Sequence, residues 1–168
     1  PTALVAVMLA NNEVGALQPA AAAAAIAARA GARFLCDAIQ AVGKIAVTAR
    51  AIGADYLPIA AHKLNGPKGA GCLCVRHGAP CVPMIAGGGQ EGGLRSGTEN
   101  VPGLAGFGEA CRLARERTGE QERIAARRDA LQERPVSAGG AQVPAAPAAR
   151  TPNTCGCICH AGHPGALL

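Results

Sequence analysis

Asp55-Tyr56-Leu57-Pro58-Ile59 is a short, mostly apolar run, and the loop Ala60–Gly71 that follows it carries two lysines, a histidine, a proline and three glycines. The run predicts a buried strand, and the glycines and proline prevent the loop from continuing as regular structure. His62 and Lys63 therefore stand at a strand exit. Burial disfavours the charged form of a lysine, and the neutral amine forms Schiff bases. Glycine amides beside His62 could cradle phosphate; the alternative is an exposed basic turn.

A second apolar run, Ala32–Cys36, predicts another short strand that ends at Asp37. Ligands bind at such strand exits in open α/β sheets. A carboxylate there can keep a pyridinium nitrogen protonated, and that protonation makes pyridoxal phosphate an electron sink. Gln40 supplies an amide that can bond the phenolic oxygen of the same ring. The alternative for Asp37 is a helix N-cap or a turn residue.

Strands and helical segments alternate along the first half of the chain. Ala3–Leu9 is a continuous apolar run typical of a buried parallel strand, and Pro19 begins an alanine-rich helix over Ala20–Ala30. This alternation predicts an α/β domain with a mostly parallel sheet. Further predicted elements are a short helix at Val47–Ile52, strands at Gly71–Arg76 and Val82–Ile85, and helix over 99–134 with a break at Thr118-Gly119.

Four stretches occur in an order and spacing typical of one enzyme family: Val7–Gly15, Asp37–Lys44, Ala61–Gly69 and Gly87–Asn100, with a weaker match at Pro152–Thr154. Through them the chain resembles the cysteine desulfurases, pyridoxal phosphate enzymes of the class V aminotransferase-like group. The resemblance covers residues 3–134 well and 150–168 loosely. It implies PLP-transferase fold type I, an α/β fold with a mostly parallel sheet, flanking helices and the start of a small α+β domain.

The resemblance also implies a division of the chain. Residues 1–117 would form the second half of the cofactor-binding large domain, residues 118–134 a connecting helix, and residues 135–168 a linker with the first part of the small domain. The chain looks like a central fragment. The family's ring-stacking histidine would precede Pro1, and its nucleophilic cysteine would follow Leu168, so none of the eight cysteines aligns with it.

By the same resemblance, Lys63 would hold pyridoxal phosphate and take the Cα proton of L-cysteine, with His62 assisting phosphate binding or proton transfer. Asn12 would lie near the cofactor and the substrate carboxylate. Thr98 would reach the cofactor phosphate of a neighbouring subunit, so the working form would be a homodimer with shared sites. The alternatives are a turn asparagine at position 12 and, for Thr98, the N-cap of a helix beginning near Glu99.

The expected reaction gives alanine and an enzyme persulfide, whose sulfur an acceptor protein takes up, for example in iron–sulfur cluster assembly. The alternatives are a selenocysteine lyase, another class V enzyme, or a catalytically inactive fragment. Three positions depart from the family pattern. Ala60 replaces a phosphate-binding serine, Ile39 a small residue or threonine, and Leu35 a histidine.

Composition narrows the function classes. The chain has 168 residues and 49% apolar content, which predicts a folded domain rather than disorder. A net charge of +5 suits nucleic acid, but aromatics are only 2% and none interleaves with the basic residues, so we expect no nucleic-acid partner. No apolar run reaches the ~20 residues of a membrane span, and no signal peptide is visible, which favours a cytoplasmic, reduced protein.

Eight cysteines raise the question of metal binding. Cys72 and Cys74 alternate with apolar residues, so both thiols should share one face of a strand, where packing is the commoner role. The tail Cys155–His160, with His163 beyond, has the ligand types of zinc. Alternate thiols on a strand stand roughly 6–7 Å apart, however, which is a poor starting geometry for the tetrahedral coordination of one zinc ion. We therefore predict no metal site.

Overall fold

The computed structural model of the chain describes residues 1–145 and 148–159. Its larger unit is a four-stranded sheet with helices packed beside it, and its smaller unit is a two-stranded ribbon. The elements in chain order are β1 (Leu4–Met8), α1 (Ala20–Arg29), β2 (Arg33–Asp37), α2 (Ala49–Ile52), β3 (Tyr56–Ala60), β4 (Gly71–Val75), α3 (Val101–Glu116), α4 (Gln121–Ser137), β5 (Ala141–Gln142) and β6 (Ile158–Cys159).

The four strands lie in the order β1-β2-β3-β4, and the first three are parallel. β4 closes the sheet as an antiparallel partner of β3, with Gly71 opposite Ala60. Helices α1 and α2 provide the crossovers that parallel neighbours require. The carboxyl ends of β1, β2 and β3 consequently meet at one edge, and Met8 stands opposite Asp37 there. The predicted α/β architecture with a mostly parallel sheet is confirmed.

Alanine sets how closely α1 packs on the sheet. Ala20, Ala24 and Ala27 of α1 are buried in one cluster with Phe34 and Cys36 of β2. Because an alanine side chain is a single methyl group, the helix backbone lies close to the strands, and Phe34 supplies the bulk at 1% exposure. The opposite face of the strands carries three exposed large side chains, Leu4, Met8 and Leu73.

A buried charge cluster ties the amino ends of the strands together. Asp55, just before β3, accepts hydrogen bonds from the Phe34 backbone N–H at 2.8 Å, from Arg33 at 3.3 Å and from Arg76 Nε at 2.9 Å. Burial alone would raise the pKa of Asp55, but the hydrogen bonds from Arg76 and Phe34 and the charge of Arg76 lower it. The carboxylate is thus held in its charged form between three segments of the chain.

The helical stretch over 99–134 forms two helices, α3 and α4, separated by a 3₁₀ turn at Thr118–Glu120. Asn100, rather than Thr98, is the N-cap of α3, since its Oδ1 accepts from the Gly103 N–H at 3.1 Å. The N-cap alternative for Thr98 is therefore wrong. Phe107 and Ala110 of α3 pack on the turn that follows β3.

Two local predictions are wrong. Val82–Ile85 is not a strand, and Val82, Met84 and Ile85 lie exposed, Met84 completely. Proline at positions 80 and 83 explains this, because proline cannot donate to a strand ladder. The linker expected from residue 135 starts later, since α4 runs through Pro135 to Ser137 and β5 then pairs with β6. Within the described residues, no helix has the length and apolar character needed to cross a membrane.

Candidate functional site

The site lies at the edge of the sheet where the three parallel strands end. β1 leads to Asn12, β2 ends at Asp37, and β3 runs into a 3₁₀ turn, Ala61–Leu64, that contains His62 and Lys63. Neighbouring parallel strands deliver these side chains to one edge, the usual place for ligands in open α/β sheets. Gln40 follows three residues after Asp37 on the same loop.

Lys63 lines a cavity of about 480 Å³ between the turn after β3, the loop after β2 and helices α3 and α4. The volume falls within the ~300–1,000 Å³ typical of ligand pockets. Lys63 itself is exposed, so the expectation that strand burial would desolvate it is wrong. The 3₁₀ turn accounts for the difference, because Ala61 and Leu64 point into the core while His62 and Lys63 point outward.

Lys44 is the second amine of this cavity. Its Nζ donates to Gln40 Oε1 at 2.9 Å. Burial, and then the charge of Lys63, lower the pKa of Lys44. In the described part of the chain, no carboxylate forms an ion pair with either amine. Glu109 and Glu120 also line the cavity, but they pair with Arg112 and Arg123. Two neighbouring lysines that no described carboxylate pairs with suit an anionic ligand.

Asp37 makes a turn at the end of β2. Its Oδ1 accepts from the Ile39 N–H at 2.9 Å, which is the hydrogen bond of an Asx turn. Asp37 does not line the cavity of Lys63 and Lys44, and neither does Gln40. The structure therefore links Gln40 to Lys44 by a hydrogen bond and places Lys44 and Lys63 in one cavity. Asp37 lies on the adjoining strand end, outside that cavity.

Asn12 lies exposed on the turn after β1. The side chain that closes this turn is Asn11, whose Oδ1 accepts from the backbone N–H groups of Glu13 and Val14, each at 2.9 Å. The turn role considered for Asn12 thus belongs to its neighbour. Asn12 stays at the sheet edge as an exposed amide beside the ends of β1 and β2.

Thr98 lies on the long loop before α3, where polar groups bond within the loop. Arg95 Nη1 donates to the carbonyls of Gly97 and Thr98, at 3.2 and 3.5 Å. Ser96 Oγ donates to the Gly88 carbonyl at 2.9 Å. The structure brings Thr98 into no contact with the other predicted site residues of the described chain, so a role across a subunit boundary stays a prediction.

Sequence reasoning assigned no site role to most residues that line the cavity, and Lys44 and Gln121 are the two whose hydrogen bonds bear on the site. Lys44 belongs to the same motif as Asp37 and Gln40, so its position four residues after Gln40 was an available signal. Gln121 begins α4, and its Nε2 donates to the Gly43 carbonyl at 3.1 Å. Its Oε1 is buried and has no hydrogen-bond partner among the described residues. No local pattern identifies Gln121, because its position depends on how α4 packs.

These groups fit a ligand that carries an aldehyde and a phosphate. An exposed primary amine can condense with the aldehyde, and a second cation beside it can attract the phosphate. The unpartnered Gln121 Oε1 adds an acceptor for an N–H or O–H group. The chemistry of the side chains is therefore compatible with pyridoxal phosphate.

The family model of aminotransferase class-V matches residues 1–167. The chain belongs to this family. A cysteine desulfurase of Gluconacetobacter diazotrophicus is 49% identical over 133 residues, which cover 79% of this chain and 33% of that protein. The cysteine desulfurase IscS of Anaeromyxobacter dehalogenans is 50% identical over 134 residues, covering 77% and 33%. The chain thus spans about a third of the length of these relatives.

Solved structures of similar proteins agree with the fold. A NifS-like protein from Rickettsia africae superposes with a TM-score of 0.84 at 34% identity, over 90% of this chain and 42% of that one. A structure described as SspA in complex with cysteine superposes with a TM-score of 0.63 at 38% identity, over 66% and 33%. The predicted fold class is confirmed. All eight cysteines lie in the described part and none is in a disulfide.

The predicted arrangement of the tail thiols is wrong. Residues 154–157 are irregular rather than a strand, and Cys155 Sγ lies 3.9 Å from Cys157 Sγ instead of the strand spacing. No group of three or more His, Cys, Asp or Glu side chains in the described ranges is placed to hold a metal ion. His160 and His163 lie outside those ranges, so the absence of a metal site there stays a prediction.

Proposed function

We propose that this chain is the lysine-bearing part of a pyridoxal phosphate-dependent cysteine desulfurase. One observation carries the proposal: Lys63 and Lys44 share a cavity at the carboxyl edge of the parallel strands. The homology supports it, since relatives named cysteine desulfurase are 49% and 47% identical over 79% of the chain. The cofactor, when bound, supplies an electron sink for the carbanion formed at the substrate Cα.

Lys63 is the catalytic amine of the proposal. It lies at the end of a flexible side chain on an exposed turn, so it can attach to an aldehyde and, once released, move the Cα proton of L-cysteine. Lys44 keeps positive charge beside it and orients Gln40 through their hydrogen bond. His62, next to Lys63, would assist in holding the phosphate or in transferring a proton.

In this proposal, the remaining site residues hold and orient the cofactor and the substrate. The Asp37 carboxylate would keep the ring nitrogen protonated, and the Gln40 N–H group would donate to the phenolic oxygen. Asn12 would bind the substrate carboxylate at the edge of the sheet. Thr98 would contact the phosphate in the neighbouring subunit, which makes a homodimer part of the proposal.

The wider context is proposed on the same basis. The division into a large domain, a connecting helix and a small domain belongs to it, with the connecting helix ending at Ser137 as α4 does. A sulfur-acceptor protein in iron–sulfur cluster assembly belongs to it as well. We place the protein in the cytoplasm. L-cysteine as substrate is supported by the names of the relatives and by the cysteine complex of SspA.

Borohydride trapping tests the proposal. Pyridoxal phosphate is added to the purified chain, the visible absorption band is recorded, and the adduct is reduced and located by peptide mass spectrometry. We expect the label on Lys63. One observation favours the alternative of a chain that folds without holding cofactor, namely that Asp37 does not line the cavity. A label on Lys68, or no label, would support that alternative and overturn the proposal.

A further inference from the structure

Cys155 and Cys157 form a close pair of thiols apart from the lysine cavity. Their Sγ atoms are 3.9 Å apart, and only Gly156 separates them in the sequence. The backbone of residues 154–157 belongs to no strand or helix, so the spacing that a strand imposes on alternate residues does not apply. A small closing movement would bring the sulfurs to the ~2.05 Å of a disulfide bond.

The segment that carries the pair is anchored to the turn after β1. The Thr151 N–H donates to the Gly15 carbonyl at 2.9 Å, and Thr151 Oγ1 bonds Thr154 Oγ1 at 2.8 Å. Gly156 packs so tightly that a Cβ there would lie 3.2 Å from the Glu13 carbonyl oxygen. The two thiols are thus held near each other before any reaction, which favours an intramolecular step over an intermolecular one.

The surroundings of the pair suit exchange chemistry. Cys155 is exposed, so a small molecule can reach its sulfur. Partial burial, and then Cys157, raise the pKa of Cys155, while the charges of Arg150 and Arg128 act to lower it. Cys155 therefore rests as a protonated thiol, and the two guanidinium groups reduce the cost of forming the thiolate during attack.

We propose that Cys155 and Cys157 are a reversible dithiol–disulfide site that is oxidised by exchange with a low-molecular-weight disulfide. One protein thiolate attacks a sulfur of the small disulfide and expels one small thiolate, leaving a mixed disulfide. The second protein thiolate attacks the protein sulfur of that mixed disulfide, forms the Cys155–Cys157 bond and expels the other small thiolate. The protein pair loses two electrons, the small disulfide gains them, and the two protons pass to the released thiols.

The chain contains a matched comparison pair. Cys72 and Cys74 are also two residues apart and exposed, and their thiols interact as well, since burial and then Cys74 raise the pKa of Cys72. Both, however, lie within β4, opposite Ile59 and Leu57. A regular strand holds alternate Cα atoms ~6.6 Å apart, close to the ~6.8 Å upper limit for a disulfide. Closing a bond there would require the β3–β4 ladder to distort. We expect Cys72 and Cys74 to close less readily than Cys155 and Cys157.

The test equilibrates the full chain with mixtures of glutathione and glutathione disulfide, followed by acid quenching, alkylation and peptide mass spectrometry. The compared quantity is the ratio of the squared glutathione concentration to the glutathione disulfide concentration. We expect the Cys155–Cys157 bond to be half formed at a ratio about tenfold higher than the ratio at which the Cys72–Cys74 bond is half formed. Cys157→Ser should leave glutathione attached to Cys155, and Cys159→Ser should leave the internal bond unchanged. Equal or weaker closure than Cys72–Cys74, or a bond from Cys157 to Cys159 instead, would overturn the proposal.

Discussion

The two ends of the parallel strands both gather charged side chains, and they do so in opposite ways. At the amino end, Asp55 is 4% exposed and balanced by Arg33 and Arg76. At the carboxyl end, Lys44 and Lys63 face one cavity with no described carboxylate paired to either. The carboxylates that also line this cavity, Glu109 and Glu120, pair with Arg112 and Arg123 instead. The paired charges at the amino end hold the structure together, whereas the two unpaired lysines are available to bind a ligand. The Asp55 cluster thus has a structural role, and we propose that the lysine cavity has a binding role.

The largest expected effect is on Lys63. Lys63→Ala should abolish borohydride-fixed labelling by pyridoxal phosphate, because the nucleophilic amine is gone. Since the side chain is exposed, the free energy of unfolding should change by less than about 0.5 kcal/mol. Lys68→Ala, on the same loop, is the matched control and should keep the label. Labelling of Lys63→Ala at the wild-type level would contradict the proposal that Lys63 holds the cofactor.

Asp55 should show the opposite behaviour. Asp55→Ala leaves the buried Phe34 N–H without its acceptor, so we expect a loss of about 1–3 kcal/mol in the free energy of unfolding, measured by denaturant titration. Labelling of Lys63 by pyridoxal phosphate should be retained wherever the variant is folded. A loss no larger than that of an exposed-pair variant would show that the amino-end cluster is not structural.

The same cluster predicts a pH dependence. The folded-state pKa of Asp55 lies below its ordinary value of 3.8, so its contribution to stability is present above that value and is lost as pH falls through the folded pKa. The difference in unfolding free energy between the wild type and Asp55→Asn should therefore shrink below about pH 4. Chemical denaturation over a pH series measures it, and a difference that grew on acidification would contradict the assignment.

Lys44 should have an intermediate effect that is confined to binding. Lys44→Met removes one of the two lysines of the cavity, and we expect pyridoxal phosphate to bind about tenfold more weakly, or ~1.4 kcal/mol. Lys68→Met is the control for the loss of a lysine outside the cavity. Fluorescence titration with both variants measures the effect. Equal weakening in the two would mean that only net charge matters.

The smallest effect is expected at an exposed ion pair. Arg112 bridges Glu109 and Glu116 on the surface of α3, and all three side chains are more than half exposed. Arg112→Ala should change the free energy of unfolding least among these variants, because solvent screens such pairs. Thermal or denaturant unfolding provides the measurement. A loss of stability as large as that of Asp55→Ala would show that burial does not decide how much a charged pair stabilises this fold.

Local patterns predicted the parts of the fold that local chemistry controls. The apolar runs before Asp37 and Ala60 are strands because they are buried by their neighbours, and the alanine run forms α1 because alanine favours helix. The strand prediction for Val82–Ile85 was wrong because it relied on apolar character. The prolines in and beside this segment cannot donate the hydrogen bonds that pair a strand with its neighbour. Asn100, not Thr98, is the N-cap of α3, because the helix begins at Val101. The sequence did not mark that first residue clearly enough to choose between the two caps.

The site was less predictable than the fold because it depends on long-range packing. Asp37 and Lys63 were found from strand exits, which the sequence marks. Gln121 enters the cavity only because α4 folds back beside Gly43, a contact across 78 residues. The close approach of Cys155 and Cys157 likewise depends on the anchoring of their segment to the turn after β1, which their own spacing does not reveal.

The central claim is that Lys44 and Lys63, which form no ion pair among the described residues, select an anionic aldehyde at the carboxyl end of the sheet. Comparing the dissociation constants of pyridoxal phosphate and of pyridoxal, which lacks the phosphate, tests it most directly. The account predicts that pyridoxal phosphate binds the chain at least about tenfold more tightly, and that Lys44→Met narrows the gap. Equal affinity for the two aldehydes, unchanged by Lys44→Met, would contradict it.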